Sequence, residues 1–195
     1  MIKGENIDSA RIIDLARKGV TMGKHLASLQ TVLMDLTSIS LGKLEIKKEK
    51  MDMVVVATEA VALSREISRT PNEFNFIAPA VLICEADPIR MSQVITNLVN
   101  NAIKYGAGSP IGISIVDEGE FARVSVSDSG PGIPPEKHAL IFERFERATD
   151  DTGLSGFGLG LYVSQQIVQA HNGKLSLESK LNFGSTFTMR IPVSS

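Results

Sequence analysis

Two glycine-rich segments in the last third of the chain constrain its fold more than any other feature. The first, DSGPGIP, occupies residues 128–134, and the second, GLSGFGLGL, occupies residues 153–161. Glycine lets a backbone approach a ligand closely, and the N–H groups of such a loop can face phosphate oxygens. The second segment opens onto an apolar helical pattern and so adds a helix N-terminus, whose dipole favours anions. Asp128 ends an alternating run that is typical of a strand. Together these features predict a nucleotide site, with a base-reading acid at one end and a phosphate-closing loop at the other.

Composition excludes several classes of protein. The net charge of −2 gives no electrostatic case for binding nucleic acid or an anionic membrane. Cys84 is the only cysteine, so no internal disulfide is possible and a reducing compartment is the default. Met1 is followed by polar and charged residues, and no apolar run approaches membrane-spanning length. We therefore expect a cytoplasmic fragment, and a membrane-anchored parent protein is compatible with this expectation.

The N-terminal part of the chain, residues 7–42, has the pattern of one long helix that ends near Gly42. Two sets of positions recur every seven residues over about four heptads, as in a coiled coil or helical bundle. They are Ile12, Gly19, Leu26, Leu33 and Ser40, and Leu15, Met22, Leu29 and Leu36. Such a stripe needs a partner, most economically a second copy of the chain, although packing on its own domain stays open. We predict a dimerisation helix at residues 1–44, a homodimer formed through residues 7–42, and a second domain at residues 45–195.

The second domain interleaves helix and strand patterns. The Val54–Val56 run favours a strand on propensity, but the apolar spacing of residues 52–69 favours a helix that ends before Pro71. Further helices are predicted at 87–105 and 161–171, single strands at 44–48, 74–78 and 80–84, and hairpins at 111–127 and 174–191. The predicted fold class is α+β, a two-layer α/β sandwich with a mixed, largely antiparallel sheet and helices on one face, preceded by the long bundle or coiled-coil helix.

The predicted helix 87–105 carries a polar face. Asn97, Asn101 and Lys104 are spaced four and three residues apart, so they lie on one side of the helix. A buried amide without a partner costs on the order of 1–3 kcal/mol, so asparagines among apolar residues need a reason. A magnesium-bound triphosphate supplies one, because an amide oxygen is a hard neutral ligand and a lysine offsets phosphate charge. An amide network that caps a sheet edge is the alternative.

Four motifs in order resemble the boxes of sensor histidine kinases. Residues 93–105 (QVITNLVNNAIKY) resemble the N box, 128–134 the first glycine box, 141–147 (IFERFER) the phenylalanine box, and 156–161 (GFGLGL) the second glycine box. The terminal strand motif of the family is matched by GSTF at 184–187. This ordered set is far more specific than a lone glycine pattern.

The resemblance covers most of the chain. The boxes span residues 87–187, and residues 12–44 resemble the second helix of the dimerisation hairpin in these kinases. It implies the Bergerat fold of the GHKL superfamily, which is shared with gyrase-type topoisomerases, mismatch-repair ATPases and heat-shock chaperones. It also implies ATP and Mg²⁺ as cofactors. The implied partners are a phosphoacceptor histidine helix and a response-regulator receiver domain.

The resemblance assigns a role to each matching residue. Asp128 accepts a hydrogen bond from the adenine amino group, which suits a side chain that presents only acceptors. Asn101 coordinates the magnesium ion, and Asn97 and Lys104 contact the phosphates or their water shell. The other implied contacts are Tyr105 along the ribose or base, Gly130, Gly132 and Ile133 at the base, Phe142 and Phe145 as lid anchors, Arg147 at the terminal phosphate, Gly156, Phe157, Gly158, Leu159 and Gly160 in the closing loop, and Thr186 at the adenine end.

Asn97 indicates the reaction class. Hydrolysing relatives have at its position a glutamate that activates water, whereas an amide cannot take a proton at neutral pH. We therefore expect negligible basal ATP hydrolysis, with the γ-phosphoryl group passed only to an external nucleophile. In this family the nucleophile is a histidine, whose neutral form carries a lone pair near pH 7.

None of the three histidines has the acceptor context of the family, an acidic residue followed by a Thr-Pro pair. His25 is predicted to be a solvated residue on the flank of the long helix, His138 a surface residue, and His171 a residue that caps or packs at a helix end. The prediction is a truncated kinase that is unable to phosphorylate itself. The alternatives are a serine-type kinase of the anti-sigma class, which needs no hairpin helix, and a degenerate binding or dimerisation module, which would not need Asp128 and Asn101.

Overall fold

The N-terminal part of the chain is a single long helix. The computed structural model describes residues 9–68, 72–106, 108–146 and 158–194, and within it two compact units divide between Lys43 and Leu44. The first unit contains α1 (Ser9–Ser40). Gly42 follows α1 with φ +64°, and Lys43 N–H donates to the Ser38 carbonyl, so the helix stops at a left-handed glycine as predicted. The pairing of α1 with a second helix stays a prediction.

The second unit combines helices with two sheets. Its helices are α2 (Met53–Ile67), α3 (Pro88–Tyr105) and α4 (Gly160–Ala170). Its strands are β1 (Glu49–Asp52), β2 (Phe74–Ile77), β3 (Ile83–Ala86), β4 (Ile111–Asp117), β5 (Phe121–Asp128), β6 (Lys174–Lys180) and β7 (Gly184–Pro192). None of the helices in the described part of the chain is long and apolar enough to cross a membrane.

The main sheet has five strands in the order β2-β4-β5-β7-β6. Only the β2–β4 pair is parallel, and the other three pairs are antiparallel. Helix α3 packs against β4 and β5, and α4 packs against β6 and β7. The predicted mixed, largely antiparallel sheet with helices on one face is therefore confirmed.

Strand alternation decides which residues of β5 face the helices. Ala122, Val124 and Val126 are buried, and they pair across β7 with buried Ile191, Met189 and Phe187. Successive residues of a strand point to opposite faces of its sheet, so Asp128 continues the row that faces the helices. The sheet thus ends with a carboxylate in place of the next apolar side chain, beside the C-terminal end of α3.

The start of the second unit differs from the prediction. The predicted strand 44–48 is wrong, because Lys47 N–H donates to Asp87 Oδ2 at 2.9 Å and this segment runs to the cap of α3. The strand is instead Glu49–Asp52, which pairs with Ile83–Ala86 to form a separate two-stranded sheet and buries Met51. The predicted strand 80–84 accordingly begins at Ile83. The helix interpretation of residues 52–69 is confirmed, with Asp52 capping α2 through Val54 N–H.

Candidate nucleotide site

Asp128 lies at the end of β5 and is half-buried. Its Oδ1 accepts a hydrogen bond from Gly130 N–H at 2.8 Å, and Ser185 of β7 lies directly opposite it in the sheet. Burial raises the pKa of Asp128 above its ordinary value, and the backbone N–H groups of Gly130 and Ser185 oppose that shift. The result is a fixed acceptor with little competing water, which suits the recognition of an amino group.

The loop that follows Asp128 is fixed at several points. A Cβ at Gly130 would lie 2.5 Å from the Tyr105 carbonyl oxygen, so this position has room only for glycine. Gly132 adopts φ +70° and lies against the Lys180 carbonyl, a conformation that glycine adopts without strain. The Asn182 N–H donates to the Pro131 carbonyl at 2.7 Å, and Ile133 N–H donates to Ser179 Oγ at 2.8 Å. The end of β6 and the turn between β6 and β7 therefore hold this loop in place through two hydrogen bonds.

The last turn of α3 meets this loop. Gly106 caps the helix, and a Cβ there would lie 3.6 Å from Asp128 Cβ. Asn101 lies one turn before Tyr105, about 6 Å along the helix axis, and is half-buried. Lys104 donates from Nζ to the Tyr105 hydroxyl at 3.0 Å and lies 4.7 Å from the centre of its ring. The polar face of α3 therefore extends away from the acid, and Asp128 and Asn101 belong to one region of the molecule.

The start of α4 contacts α3 at Asn97, one helical turn before Asn101. Asn97 Nδ2 donates to Ser164 Oγ at 3.0 Å, and a Cβ at Gly160 would overlap Asn97 Oδ1. Leu159, the N-cap residue of α4, is buried and has no polar side chain to satisfy the first N–H groups of the helix. Such N–H groups, together with the helix dipole, favour an anion. The predicted positions Leu159 and Gly160 thus lie beside Asn97.

The phenylalanine box contributes one buried contact and one backbone contact. The Phe142 ring packs edge to face on Phe187 of β7, with the ring centres 6.4 Å apart. The ring of Phe145 is 69% exposed, its backbone has φ +67°, and its N–H donates to the Gly158 carbonyl at 3.0 Å. Gly158 has φ +68°, and a Cβ there would lie 2.6 Å from the Phe145 carbonyl carbon. The Phe142 ring thus packs on the sheet, whereas Phe145 contacts Gly158 through its backbone, and the role of both as lid anchors stays a prediction.

Thr186, predicted at the adenine end, differs from Asp128 in the face of the sheet that it occupies. Thr186 pairs with Ser127, and strand alternation puts both on the face of the sheet away from the helices. Ser185 pairs with Asp128, is buried, and bonds through Oγ to Ser179 Oγ at 2.9 Å. The apolar alternation of Phe187, Met189 and Ile191 is the sequence signal that points to Ser185. The predicted residues Arg147, Gly156 and Phe157 lie outside the described residues.

The oxygen ligands available at this site fit a cation whose other ligands are phosphate oxygens and water. No group of three or more His, Cys, Asp or Glu residues that could hold a metal occurs within the described ranges. Mg²⁺ keeps most of its coordination from water and phosphate oxygens when a protein supplies one or two oxygen ligands. The amide oxygen of Asn101 is such a ligand, so the residues present fit magnesium bound to a nucleotide.

Two histidines of the chain are engaged within the second unit. His138 is half-buried rather than a surface residue, with Nε2 2.8 Å from the Ile133 carbonyl oxygen. His171 is buried, accepts at Nε2 from Asp87 N–H at 3.0 Å, and bonds through Nδ1 to the Ile167 carbonyl at 2.8 Å. It therefore joins the end of α4 to the start of α3, as the prediction of a packing residue implied. The side chain of His25 lies outside the described part of the chain.

Known proteins share this sequence and arrangement. The profile of the family described as "Histidine kinase-, DNA gyrase B-, and HSP90-like ATPase" matches residues 86–195. The circadian input-output histidine kinase CikA of Synechococcus elongatus is 32% identical over 180 residues, which cover 87% of this chain and 24% of that protein. The adaptive-response sensory kinase SasA of Synechococcus sp. (strain CC9311) is 32% identical over 192 residues, 93% of this chain and 49% of that protein. The chain thus spans from a quarter to a half of the length of these two relatives.

A solved structure matches about three quarters of the chain. The catalytic domain of histidine kinase ThkA is 33% identical and superposes with a TM-score of 0.68, covering 76% of this chain and 99% of that one. This chain belongs to the histidine kinase-, DNA gyrase B- and HSP90-like ATPase family, and its second unit is a sensor histidine kinase catalytic domain.

Proposed function

We propose that this chain binds Mg²⁺·ATP and donates the γ-phosphoryl group to a histidine on a dimerisation helix that is not present in it. The observation that supports this most directly is the arrangement along α3. Its C-terminal end adjoins Asp128, and Asn97, two turns earlier, contacts the start of α4. An adenine at the acid and phosphates at the N-terminus of α4 would lie on either side of Asn101.

The chain's own residues would act mainly by positioning the nucleotide and the metal ion. Asp128 fixes the adenine, Asn101 holds the magnesium ion, Lys104 and the first turn of α4 hold the phosphates, and Asn97 contacts the water shell of the phosphates. Magnesium, when bound, neutralises charge on the phosphate oxygens. Lys104 now donates to the Tyr105 hydroxyl, so its ammonium group would turn from that hydroxyl to a phosphate as ATP binds.

The acceptor would be a neutral imidazole nitrogen. Its lone pair forms a P–N bond to the γ-phosphorus while the bond to the β–γ bridging oxygen breaks, ADP leaves, and the imidazole proton passes to solvent. His171 is 2% exposed, and His138 is bonded to a backbone carbonyl, so neither suits this role. Asn97 offers no base for water, so we propose that hydrolysis without an acceptor is slow.

The exposed apolar residues of α1 support the proposed homodimer. Of the seven-residue pattern, Ile12, Leu15, Met22, Leu26 and Leu33 are all at least half exposed. A partner helix from a second copy would cover them. A response-regulator receiver domain is the proposed final acceptor of the phosphoryl group, as in two-component signalling.

Transfer of labelled phosphate tests this function. The full chain is incubated with γ-labelled ATP and Mg²⁺, alone and with a dimerisation hairpin that carries an acceptor histidine. We expect acid-labile label on the hairpin, no label when its histidine is changed to Gln, and negligible phosphate release without it. Acid-stable label would favour the serine-kinase alternative, and rapid phosphate release would contradict the proposed role of Asn97. Failure to bind ATP at all would favour the degenerate module.

A further inference from the structure

Ser164 is a buried hydroxyl on a helix face that is otherwise apolar. It lies in α4, is 2% exposed, and its buried neighbours on that helix are Val163, Ile167 and Val168. Buried polar groups are almost always hydrogen-bonded, and the partner of Ser164 is on another helix: Asn97 Nδ2 of α3 donates to its Oγ at 3.0 Å. The hydroxyl therefore links the two helices at a residue of the nucleotide site.

Gly160 contacts the other end of the same amide. It precedes Ser164 by four residues, so both face the same side of α4. A Cβ at Gly160 would overlap Asn97 Oδ1, and would lie 3.0 Å from Asn97 Cγ and 3.2 Å from Nδ2. The oxygen is thus the amide atom nearest the start of α4, and the amino group points to Ser164.

These contacts fix the orientation of the amide. A hydroxyl can donate or accept, so the bond to Ser164 alone would allow either orientation. At Gly160 the Cβ direction points at Asn97 Oδ1, so a Cα–H bond of this glycine faces the amide oxygen, an arrangement that suits an acceptor. A reversed amide would bring N–H hydrogens against that C–H. The pair of contacts therefore presents the carbonyl oxygen toward the N-terminus of α4.

We propose that Ser164 is a positioning residue that holds the Asn97 carbonyl oxygen toward the metal-bound phosphates. The proposal rests on the proposed function, because it requires Mg²⁺·ATP at the start of α4. Bound Mg²⁺ retains several waters, and these waters donate hydrogen bonds. An oriented amide oxygen accepts from such a water or binds the ion, whereas an amino group in the same place would do neither. The contribution of Ser164 should therefore depend on magnesium.

Ser164→Ala tests this by removing the acceptor for the Asn97 amino group. We expect binding of Mg²⁺ with a non-hydrolysable ATP analogue to weaken roughly five- to tenfold, the scale of one lost hydrogen bond. Binding of ADP without Mg²⁺, which relies on the adenine end, should change by less than about twofold. Ser164→Thr keeps the hydroxyl and should retain both affinities. Titration calorimetry measures all of them.

A matched control separates positioning from packing. Ser64 is a second buried helical serine, 1% exposed, whose Oγ donates to the Ala60 carbonyl at 2.9 Å within α2. Ser64→Ala should leave both nucleotide affinities at the wild-type value. If Ser164→Ala binds Mg²⁺·ATP analogue like the wild type, or loses Mg²⁺-free ADP binding to the same extent, the inference is overturned.

The wild-type chain provides a test that does not depend on a variant folding. One side-chain N–H of Asn97, identified by NMR through loss of its signal in Asn97→Asp, should be protected from exchange with solvent. Two freely exchanging N–H protons would overturn the inference. A wild-type chain that binds no nucleotide would overturn the proposed function and this inference with it, whereas normal binding that is indifferent to Ser164→Ala would overturn this inference alone.

Discussion

Ser185 of β7 lies directly opposite Asp128 of β5, and its backbone N–H opposes the rise that burial causes in the pKa of Asp128. Both residues continue rows of core side chains, so they face the helices at the end of the sheet. The carboxylate is held by the Gly130 N–H, with Ser185 beside it. This is the part of the sheet at which we propose that the base binds.

Asp128→Asn should separate affinity from stability. The neutral amide can donate as well as accept, so we expect ATP to bind roughly tenfold more weakly or worse, as for one lost charge-assisted hydrogen bond. Burial raises the pKa of Asp128, so the ionised carboxylate is disfavoured in the folded protein and its removal should not lower the melting temperature of the nucleotide-free chain. Calorimetric titration and thermal unfolding measure the two effects.

Asp117→Asn is a matched control for that substitution. Asp117 ends β4, and its Oδ1 accepts from Gly119 N–H at 2.8 Å in the same local geometry, but it is exposed. Asp117→Asn should leave ATP affinity unchanged. Unchanged affinity in Asp128→Asn as well would remove Asp128 from the site.

Ser185→Val and Thr186→Val should differ in their effect on ADP binding. Ser185 lies with Asp128 on the face of the sheet that packs on the helices, and it bonds to Ser179. Thr186 lies on the opposite face. The larger apolar side chain at 185 should weaken ADP binding at least about fivefold by crowding the acid and breaking the hydroxyl pair. The nearly isosteric change at 186 should have little effect. A larger loss at 186 would show that Thr186, rather than Ser185, contacts the nucleotide.

Gly160→Ala should damage the contact between α3 and α4. The added Cβ would overlap Asn97 Oδ1, so the amide must move, and we expect weaker Mg²⁺·ATP binding and a lower melting temperature. Gly23→Ala on α1 is the contrasting change, because nothing lies within 4 Å of its Cβ position. It should raise helix stability by up to about 1 kcal/mol. Circular dichroism during heating, alongside nucleotide titration, distinguishes the two variants. A Gly160→Ala variant with wild-type melting temperature and nucleotide affinity would contradict the close contact between Gly160 and Asn97.

His171 should make the folded domain sensitive to acid. Burial lowers its pKa, aided by Lys48 and Arg90 and opposed by its bond to Ile167 and by Asp87. Only the neutral ring can accept from Asp87 N–H, so the unfolded chain binds a proton more readily than the folded one. The free energy of unfolding should therefore decrease as pH falls from about 6.5, the ordinary histidine pKa, through the lower folded value.

His171→Gln should flatten that pH dependence because glutamine does not titrate. Urea unfolding at several pH values between about 5 and 8 measures the slope in both proteins. The variant is expected to be less stable at neutral pH, since it loses at least one of the two bonds. An identical slope in the two proteins would show that another group accounts for the acid sensitivity.

Leu26→Lys should break the proposed dimer without affecting nucleotide binding. Leu26 belongs to the seven-residue pattern of α1 and is 62% exposed, so a charge there would be buried by a partner helix. Val20 is 61% exposed but lies outside the pattern, so Val20→Lys should remain dimeric. Sedimentation equilibrium measures the association. Equal dissociation of both variants, or a monomeric wild type, would contradict pairing through this stripe.

Most secondary structure in the second unit followed from local pattern. The hairpin of β4 and β5, the helix around Asn97 and Asn101, and the glycine loops are recognisable because alternation, 3.6-residue periodicity and glycine act over short distances. The first strands were misplaced for a tertiary reason. Glu49 and Lys50 look like a charged turn, yet they form a strand because β3 lies beside them and Met51 needs burial.

The sequence by itself determined the chemistry available to this protein: an acid at a strand end, amides along one side of a helix, and glycines before another. Those features depend on residue type and spacing. Only the tertiary structure decided that Ser185 rather than Thr186 lies opposite the acid, that the Phe142 ring packs on the sheet while the Phe145 ring is exposed, and that Ser164 and Gly160 contact Asn97. Each of these depends on strand register or on contact between helices far apart in the chain, and such contacts are fixed by packing rather than by local propensity.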